Sequence, residues 1–300
     1  MITDGGVGDL ILFSYFVGNG EDGLHLAWSE DGLHFVPLNG GRSVLSPDPA
    51  VSQLMRDPFI LPGPDGDFHL VWTGDWSGQT IGYARSEDLI HWSAKALPVM
   101  AHEPTAHNCW APEIAWDARR RRYLVFWSTT IPGRFPETDL TGDDGYNHRI
   151  YATTTTDFME FAPTRLFFDP GYNVIDAMIL AGEDRFHLIF KDETRHPVRK
   201  HLRVASANDI EGPYGDISEP FTESWTEGPS ALRFGDAYRV FFDCYSAGKY
   251  GAVESRDLRD WVDISDRVSF PEGARHGAAF RVSPEVLGRL RSCFGWAGAD

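Results

Sequence analysis

Five-residue apolar runs, rich in aromatic and β-branched side chains, recur along this chain between turns that carry Asp and Gly. Phe68-His69-Leu70-Val71-Trp72, Tyr123-Leu124-Val125-Phe126-Trp127, Phe186-His187-Leu188-Ile189-Phe190 and Tyr238-Arg239-Val240-Phe241-Phe242 predict one and the same strand in four structural units, and Leu10–Phe16 predicts it in a fifth. Turn signals such as Asp65-Gly66 and Phe234-Gly235-Asp236 precede these runs. Apolar spacing of helical period is confined to residues 284–291, so the expected class is all-β.

A second signal follows each run. A small hydroxyl residue, a variable residue and then Asp or Asn recur as Ser29-Glu30-Asp31, Ser86-Glu87-Asp88, Thr155-Thr156-Asp157, Ser206-Ala207-Asn208 and Ser255-Arg256-Asp257, at spacings of 57, 69, 51 and 49 residues. Four copies carry a following aromatic, Phe35, Trp92, Phe161 or Trp261, and the fourth lacks it. Spacings of this size suit four-stranded propeller blades, with loops absorbing the differences. The repeated acidic residues read as turn formers, because Ser and Asp side chains bond to nearby backbone amides.

One strand earlier in each unit, an ionisable residue enters an apolar segment: Asp57 in Arg56-Asp57-Pro58-Phe59-Ile60, Glu113 in Ala111-Pro112-Glu113-Ile114, Asp176 in Val174-Ile175-Asp176-Ala177, Glu227 in Thr226-Glu227-Gly228-Pro229 and His276 in Arg275-His276-Gly277. The first strand of a propeller blade lines the central channel, so these five side chains are expected to converge on one axial site. The fifth unit is out of order, with its inner strand C-terminal and its outer strands N-terminal. The expected fold is therefore a single five-bladed β-propeller over residues 1–300, closed by pairing the two chain ends, which removes exposed strand edges.

Composition narrows the partners. A net charge of -17 argues against nucleic acid, whose binding needs clustered Lys and Arg. Cys109, Cys244 and Cys293 are odd in number and far apart, which signals no disulfide framework and reads as packing. Residues 1–16 hold Asp4 and Asp9 where a signal peptide is apolar, and no long apolar span is present, so a cytoplasmic, membrane-free protein is expected.

Convergent carboxylates suit the hydrolysis of a glycosidic bond, in which one stays ionised and another is kept protonated. Trp76, Trp110, Phe135 and Trp225 lie near the axial positions in sequence and are candidate platforms for a sugar ring. His102, His107 and Cys109 form no closed ligand set and are read as a loop beside the pocket. Residues 131–149 interrupt the second blade and are expected to wall one end of the pocket, favouring exo cleavage. Arg195, Arg199 and Lys200 either reach substrate hydroxyls or sit on a surface hairpin.

In order and spacing, Arg56-Asp57-Pro58-Phe59-Ile60, Trp110-Ala111-Pro112-Glu113-Ile114, Val174-Ile175-Asp176 and Glu227-Gly228-Pro229 resemble the segments of the family 43 glycoside hydrolases, which include arabinanases, α-L-arabinofuranosidases and β-xylosidases. The resemblance implies a five-bladed propeller and an inverting mechanism. It implies Asp57 as the general base, Asp176 as the residue that tunes and orients the acid, and Glu227 as the general acid. It places Glu113 in the pocket lining and gives His276 as a possible ligand of an axial calcium or sodium ion, with no cofactor required for the chemistry. The expected substrate is an oligosaccharide, foremost an α-L-arabinofuranoside, with a β-xyloside or β-galactoside next. A non-catalytic sugar-binding propeller and a retaining or phosphorolytic propeller enzyme remain the alternatives, although the Asn-Asp-Pro and Glu-Cys segments of fructoside enzymes are absent.

Overall fold

The computed structural model describes residues 10–295. Five antiparallel sheets surround a central axis, each beginning at the axis and running outward. Blade one contains Arg56–Pro62, Phe68–Thr73, Ile81–Ser86 and Ser93–Leu97, and blade two Trp110–Asp117, Arg122–Thr130, His148–Thr155 and Arg165–Phe168. Blade three contains Val174–Ala181, Phe186–Asp192 and His201–Ala207, and blade four Glu227–Phe234, Ala237–Cys244, Lys249–Ser255 and Val262–Asp263. Blade five joins the chain ends: Arg275–Val282 is innermost and pairs with Leu10–Phe16, followed outward by His25–Ser29 and Val36–Pro37. Its register, with Leu12 opposite Phe280, closes the ring as the out-of-order fifth unit predicts.

Each apolar run packs where two blades meet. Five buried clusters fill the five blade-to-blade interfaces: Leu12, Ile60 and Leu70 between blades five and one, Val71 and Val125 between one and two, Phe126 and Phe190 between two and three, Ile189 and Val240 between three and four, and Phe13 and Phe241 between four and five. Alternate residues of one strand thus serve opposite neighbours, which is why these runs are apolar on both faces. The helix Pro284–Phe294 follows the innermost strand of blade five and buries Leu287 and Leu290 in the first of these clusters. Among the described residues no helix is long and apolar enough to cross a membrane.

The hydroxyl–Asp repeat is a turn. In the first copy the Gly32 amide donates to Ser29 Oγ at 2.9 Å, while the Leu33 and His34 amides donate to Asp31 Oδ1 at 2.7 and 3.0 Å. The same pattern recurs at Ser86 and Asp88, Thr155 and Asp157, and Ser255 and Asp257. The fourth copy departs from it, and its blade departs from the four-stranded expectation. Asp209, one residue beyond Asn208, accepts from the Glu211 amide and pairs with Arg120 of blade two, and blade three has three strands. Cys109 is buried as expected, whereas Cys293 lies exposed on the terminal helix, outside any packing role.

Candidate active site

Every innermost strand carries the same irregularity near its start. In blade one, Arg56 pairs with Thr73 and Phe59 with Val71, so two residues, Asp57 and Pro58, face one on the partner strand. Equivalent bulges follow Trp110, Ile175 and Glu227, and blade five has its own between Arg275 and Ala278. The first bulged residue is left-handed at Asp57 (φ 52°), Ala111 (46°), Asp176 (54°) and Gly228 (58°). Such bulges re-aim a side chain and are tolerated by Asp more readily than by most residues. They turn Asp57 and Asp176 to the axis, where they meet His276, which occupies the corresponding place in blade five.

The register sets the five axial side chains at different levels. Asp57, Glu113, Asp176, Glu227 and His276 converge, but not as five equivalents. Glu227 stands one position before its bulge, in a ring with Arg56, Trp110, Ile175 and Arg275. Glu113 stands after its bulge, level with Phe59 and Met178. Glu113 accordingly lines a narrow axial channel of about 10 Å³ beneath Asp57, Asp176 and His276, while Glu227 stays at the mouth.

His276 organises the carboxylates. Its Nδ1 lies 3.2 Å from Asp57 Oδ1 and 3.9 Å from Asp176 Oδ2. Asp57 Oδ2 also accepts from Thr73 Oγ1 at 2.7 Å, and Asp176 Oδ2 from the Gly228 amide at 3.2 Å. A β-carbon on Gly228 would stand 2.5 Å from His276 Cδ2, so the bare backbone is what admits the imidazole. Glu227 is held from two sides, by Lys191 Nζ at 3.1 Å and Arg275 Nη2 at 2.9 Å. Arg275 Nε in turn donates to Asp243 at 2.7 Å.

The environments drive these groups apart. Burial pushes the Asp57 carboxyl up, but the imidazolium of His276, its hydrogen bond, Arg56 and Thr73 together hold it well below the ordinary carboxylate range. Burial lifts Asp176 to about 6, opposed by His276 and Lys191 and reinforced by the charges of Glu227 and Asp57. Burial raises Glu113 well above its usual value, and nearby Asp176 adds to the effect. Glu227 is lowered despite its burial, because Lys191, His276 and Arg275 stabilise its charge. His276, disfavoured by burial, is nevertheless raised to about 10 by Asp176 and Asp57. A carboxylate held ionised at Asp57 beside buried carboxyls pushed toward protonation, Asp176 and Glu113, is a combination that general acid–base chemistry uses.

The expected platforms divide. Trp76 and Trp110 meet edge to face at 6.1 Å beside Arg56, whose guanidinium lies over Trp76 at 4.5 Å. Trp110 also packs against Tyr146 at 4.7 Å, and His107 joins the same aromatic group. Trp225 lies by Tyr245, whose ring sits under Lys191. Phe135 does not join them: its ring packs on the Arg149 guanidinium at 4.3 Å, and Arg149 is tied outward to Asp169. Residues 131–147 form the long connection in blade two, and it docks on blade three through Asp143, which pairs with Lys200 at 2.6 Å and Arg195 at 3.2 Å. Lys200 is therefore buried and paired, and Arg199 leans on Asp192 at 3.7 Å.

Thr73, Lys191 and Asp243 were missed from the sequence. Each sits on the second strand directly across from the residue that precedes the bulge, opposite Arg56, Ile175 and Glu227. The signal was present: each is the polar residue that ends an apolar run, after Trp72, Phe190 and Phe242.

The ion implied by the resemblance finds few protein ligands. His276 directs Nδ1 to Asp57, and among the described residues no three metal-binding side chains form a cage. Among the described residues the donor set fits at most one side-chain ligand, through Nε2 of His276.

A five-bladed ring with carboxyls gathered at one axial mouth is an architecture shared by propeller glycosidases. Within it, a family model described as "Probable glycosyl hydrolase domain" and related to glycosyl hydrolase family 43 matches residues 10–285. The chain belongs to this family-43-related group. It is 29% identical over 199 residues to an alpha-L-arabinofuranosidase of Bifidobacterium longum subsp. longum, covering 58% of this chain and 18% of that protein, so it spans less than a fifth of that relative. Its fold is similar to that of a thermostable family-43 glycoside hydrolase (TM-score 0.58, 17% identity, 78% of this chain and 82% of that one). It is similar also to that of an alpha-L-arabinofuranosidase from Lactobacillus brevis (TM-score 0.57, 15% identity, 79% and 82%) and to a family-43 β-1,3-galactosidase (TM-score 0.53, 11% identity, 70% and 75%).

Proposed function

We propose that this chain is an inverting exo-glycosidase that releases terminal α-L-arabinofuranosyl residues from oligosaccharides. The observation that carries the reading is the pairing of Asp57 with His276 at 3.2 Å, which keeps a buried carboxylate ionised at the channel mouth, where it can take a proton from water. Asp57 is the general base. Glu227, across the mouth, is the general acid, and Asp176 tunes it through its own negative charge and its bond to the Gly228 amide.

Below about pH 6 a proton shared by the pair favours Asp176, which burial raises, over Glu227, whose anion Lys191 and Arg275 favour; above it Asp176 is ionised and acts on Glu227 as a charge. The two carboxyls sense each other's charge, so they titrate as a pair and share one proton. In the acid step Glu227 carries the proton and gives it to the glycosidic oxygen as the bond from that oxygen to the anomeric carbon breaks, while Asp57 takes a proton from the attacking water. Exchange with solvent then returns a proton to Glu227 and removes one from Asp57. The connection 131–147, anchored on blade three, supports a closed end to the pocket and hence exo cleavage. The similarity to an arabinofuranosidase supports the choice of sugar.

Hydrolysis of nitrophenyl α-L-arabinofuranoside, β-D-xyloside and β-D-galactoside by the purified chain tests this. The arabinofuranoside is expected to be cleaved fastest. A faster xyloside or galactoside reassigns the sugar, and tight binding without turnover of any of the three refutes the assigned roles.

A further inference from the structure

The cations around the mouth are engaged, with one exception. Arg275 is bound to Glu227 and Asp243, Lys191 to Glu227 and Glu193, Lys200 to Glu193 and Asp143, and His276 to Asp57. Arg56, next to Asp57 and in the same ring as Glu227, makes no hydrogen bond or ion pair through its guanidinium among the described residues. That group lies over two rings, Phe16 at 4.7 Å and Trp76 at 4.5 Å. Its stem is fixed as well. Gly20 accepts from the Met55 amide at 2.8 Å and packs so closely that a β-carbon there would come within 3.0 Å of Arg56 Cγ.

A guanidinium stacked on rings offers its in-plane N–H edge, a rigid fork that matches two neighbouring oxygen acceptors. Partly buried donors of this kind call for acceptors, and among the described residues none stands within hydrogen-bonding distance of the guanidinium, although the charges of Asp57 and Glu21 are near. We infer that Arg56 is a specificity-determining residue of the subsite that holds the sugar ring being cleaved, donating two hydrogen bonds to a pair of adjacent ring hydroxyls. The half-exposed Trp76 beside it, 46% accessible, offers an apolar face to the same ring. This inference rests on the reading of Asp57 as the base, because that reading puts the sugar beside Arg56.

The test uses nitrophenyl α-L-arabinofuranoside and its 2-deoxy and 3-deoxy analogues with the wild type, Arg56→Met and Arg56→Lys. Arg56→Met is expected to lower kcat/KM on the parent sugar roughly 10–100-fold, the range for a lost hydrogen bond to a charged group. On an analogue already lacking a contacted hydroxyl the further loss should be much smaller. Arg56→Lys keeps the charge without the fork and should recover only part of the activity. Equal losses on all three sugars, or full recovery with lysine, overturn the inference. Calorimetric titration with L-arabinose, D-xylose and D-galactose reads the same contact without turnover. Weaker binding to Arg56→Met with an inactive wild type would sink the hydrolase reading but keep the contact; unchanged binding with an active wild type would sink the contact alone; no binding and no turnover would sink both.

Discussion

Replacing Lys191 by Met tests the acid most sharply. Lys191 is only 3% exposed, and its ammonium lies 3.1 Å from Glu227 Oε2 and 2.7 Å from Glu193 Oε2. At 3.1 Å and an effective dielectric of about 20, the gross attraction to Glu227 is roughly 5 kcal/mol. Glu193 competes for the ammonium and Arg275 still holds Glu227, so the effect on the acid is smaller, and opposite charges at this range typically lower a carboxyl by about 1–3 pH units. Lys191 favours the ionised acid; without it, Glu227 keeps its proton to higher pH. The basic limb of kcat/KM, set in the wild type by the proton that Asp176 and Glu227 share, should therefore move upward by about 1–3 pH units. Stability moves with a definite sign too. A carboxyl held below its ordinary value of 4.5 stabilises the fold above that pH and loses the contribution as pH falls, so the variant's deficit should be largest near neutrality and shrink below pH 4.5. A pH–rate profile on the aryl arabinofuranoside, with thermal unfolding over the same pH range, measures both. A basic limb that stays in place or moves down would refute Glu227 as the acid.

Two further outcomes follow from the same contacts. Replacing His276 by Gln leaves Asp57 and Asp176 buried without their shared cation, which should cost about 3–5 kcal/mol, or roughly 5–8 °C in Tm for a domain of this size. Because the His276 pKa is raised from 6.5 to about 10, the difference in calorimetric Tm should be full below pH 6.5 and fade as pH rises through 10; a difference unaffected by pH would contradict the pairing. Glu227→Ala should largely spare aryl glycosides with good leaving groups relative to arabino-oligosaccharides, measured as kcat on each, and equal losses on both would argue against proton donation by Glu227.

Much of the ring was legible because propeller blades repeat. The apolar runs marked the second strands and the hydroxyl–Asp turns the end of the third, whereas the three-stranded blade, the one whose repeat lacks its aromatic, departs from the four strands expected. The site was legible as a set of residues but not as a geometry. The prolines carry the levels: Pro58, Pro112 and Pro229 each follow the left-handed residue, and aligning them puts Glu113 one step beyond its Pro and Glu227 two steps before its own. The partners of the carboxylates were hidden for a different reason. Thr73, Lys191 and Asp243 gain their meaning from cross-strand register, and a single polar residue after an apolar run reads first as the end of a strand. The partner of Phe135 was likewise not legible, since nearness in sequence to the pocket loop says nothing of the buried guanidinium of Arg149 on which its ring packs.

Proton NMR of the first sugar released from nitrophenyl α-L-arabinofuranoside bears most directly on the proposal that Asp57 activates water for a single displacement. The account predicts that the β-anomer appears first and mutarotates afterwards, and that Asp57→Asn abolishes its release. Initial appearance of the α-anomer, or unimpaired turnover by Asp57→Asn, would contradict it.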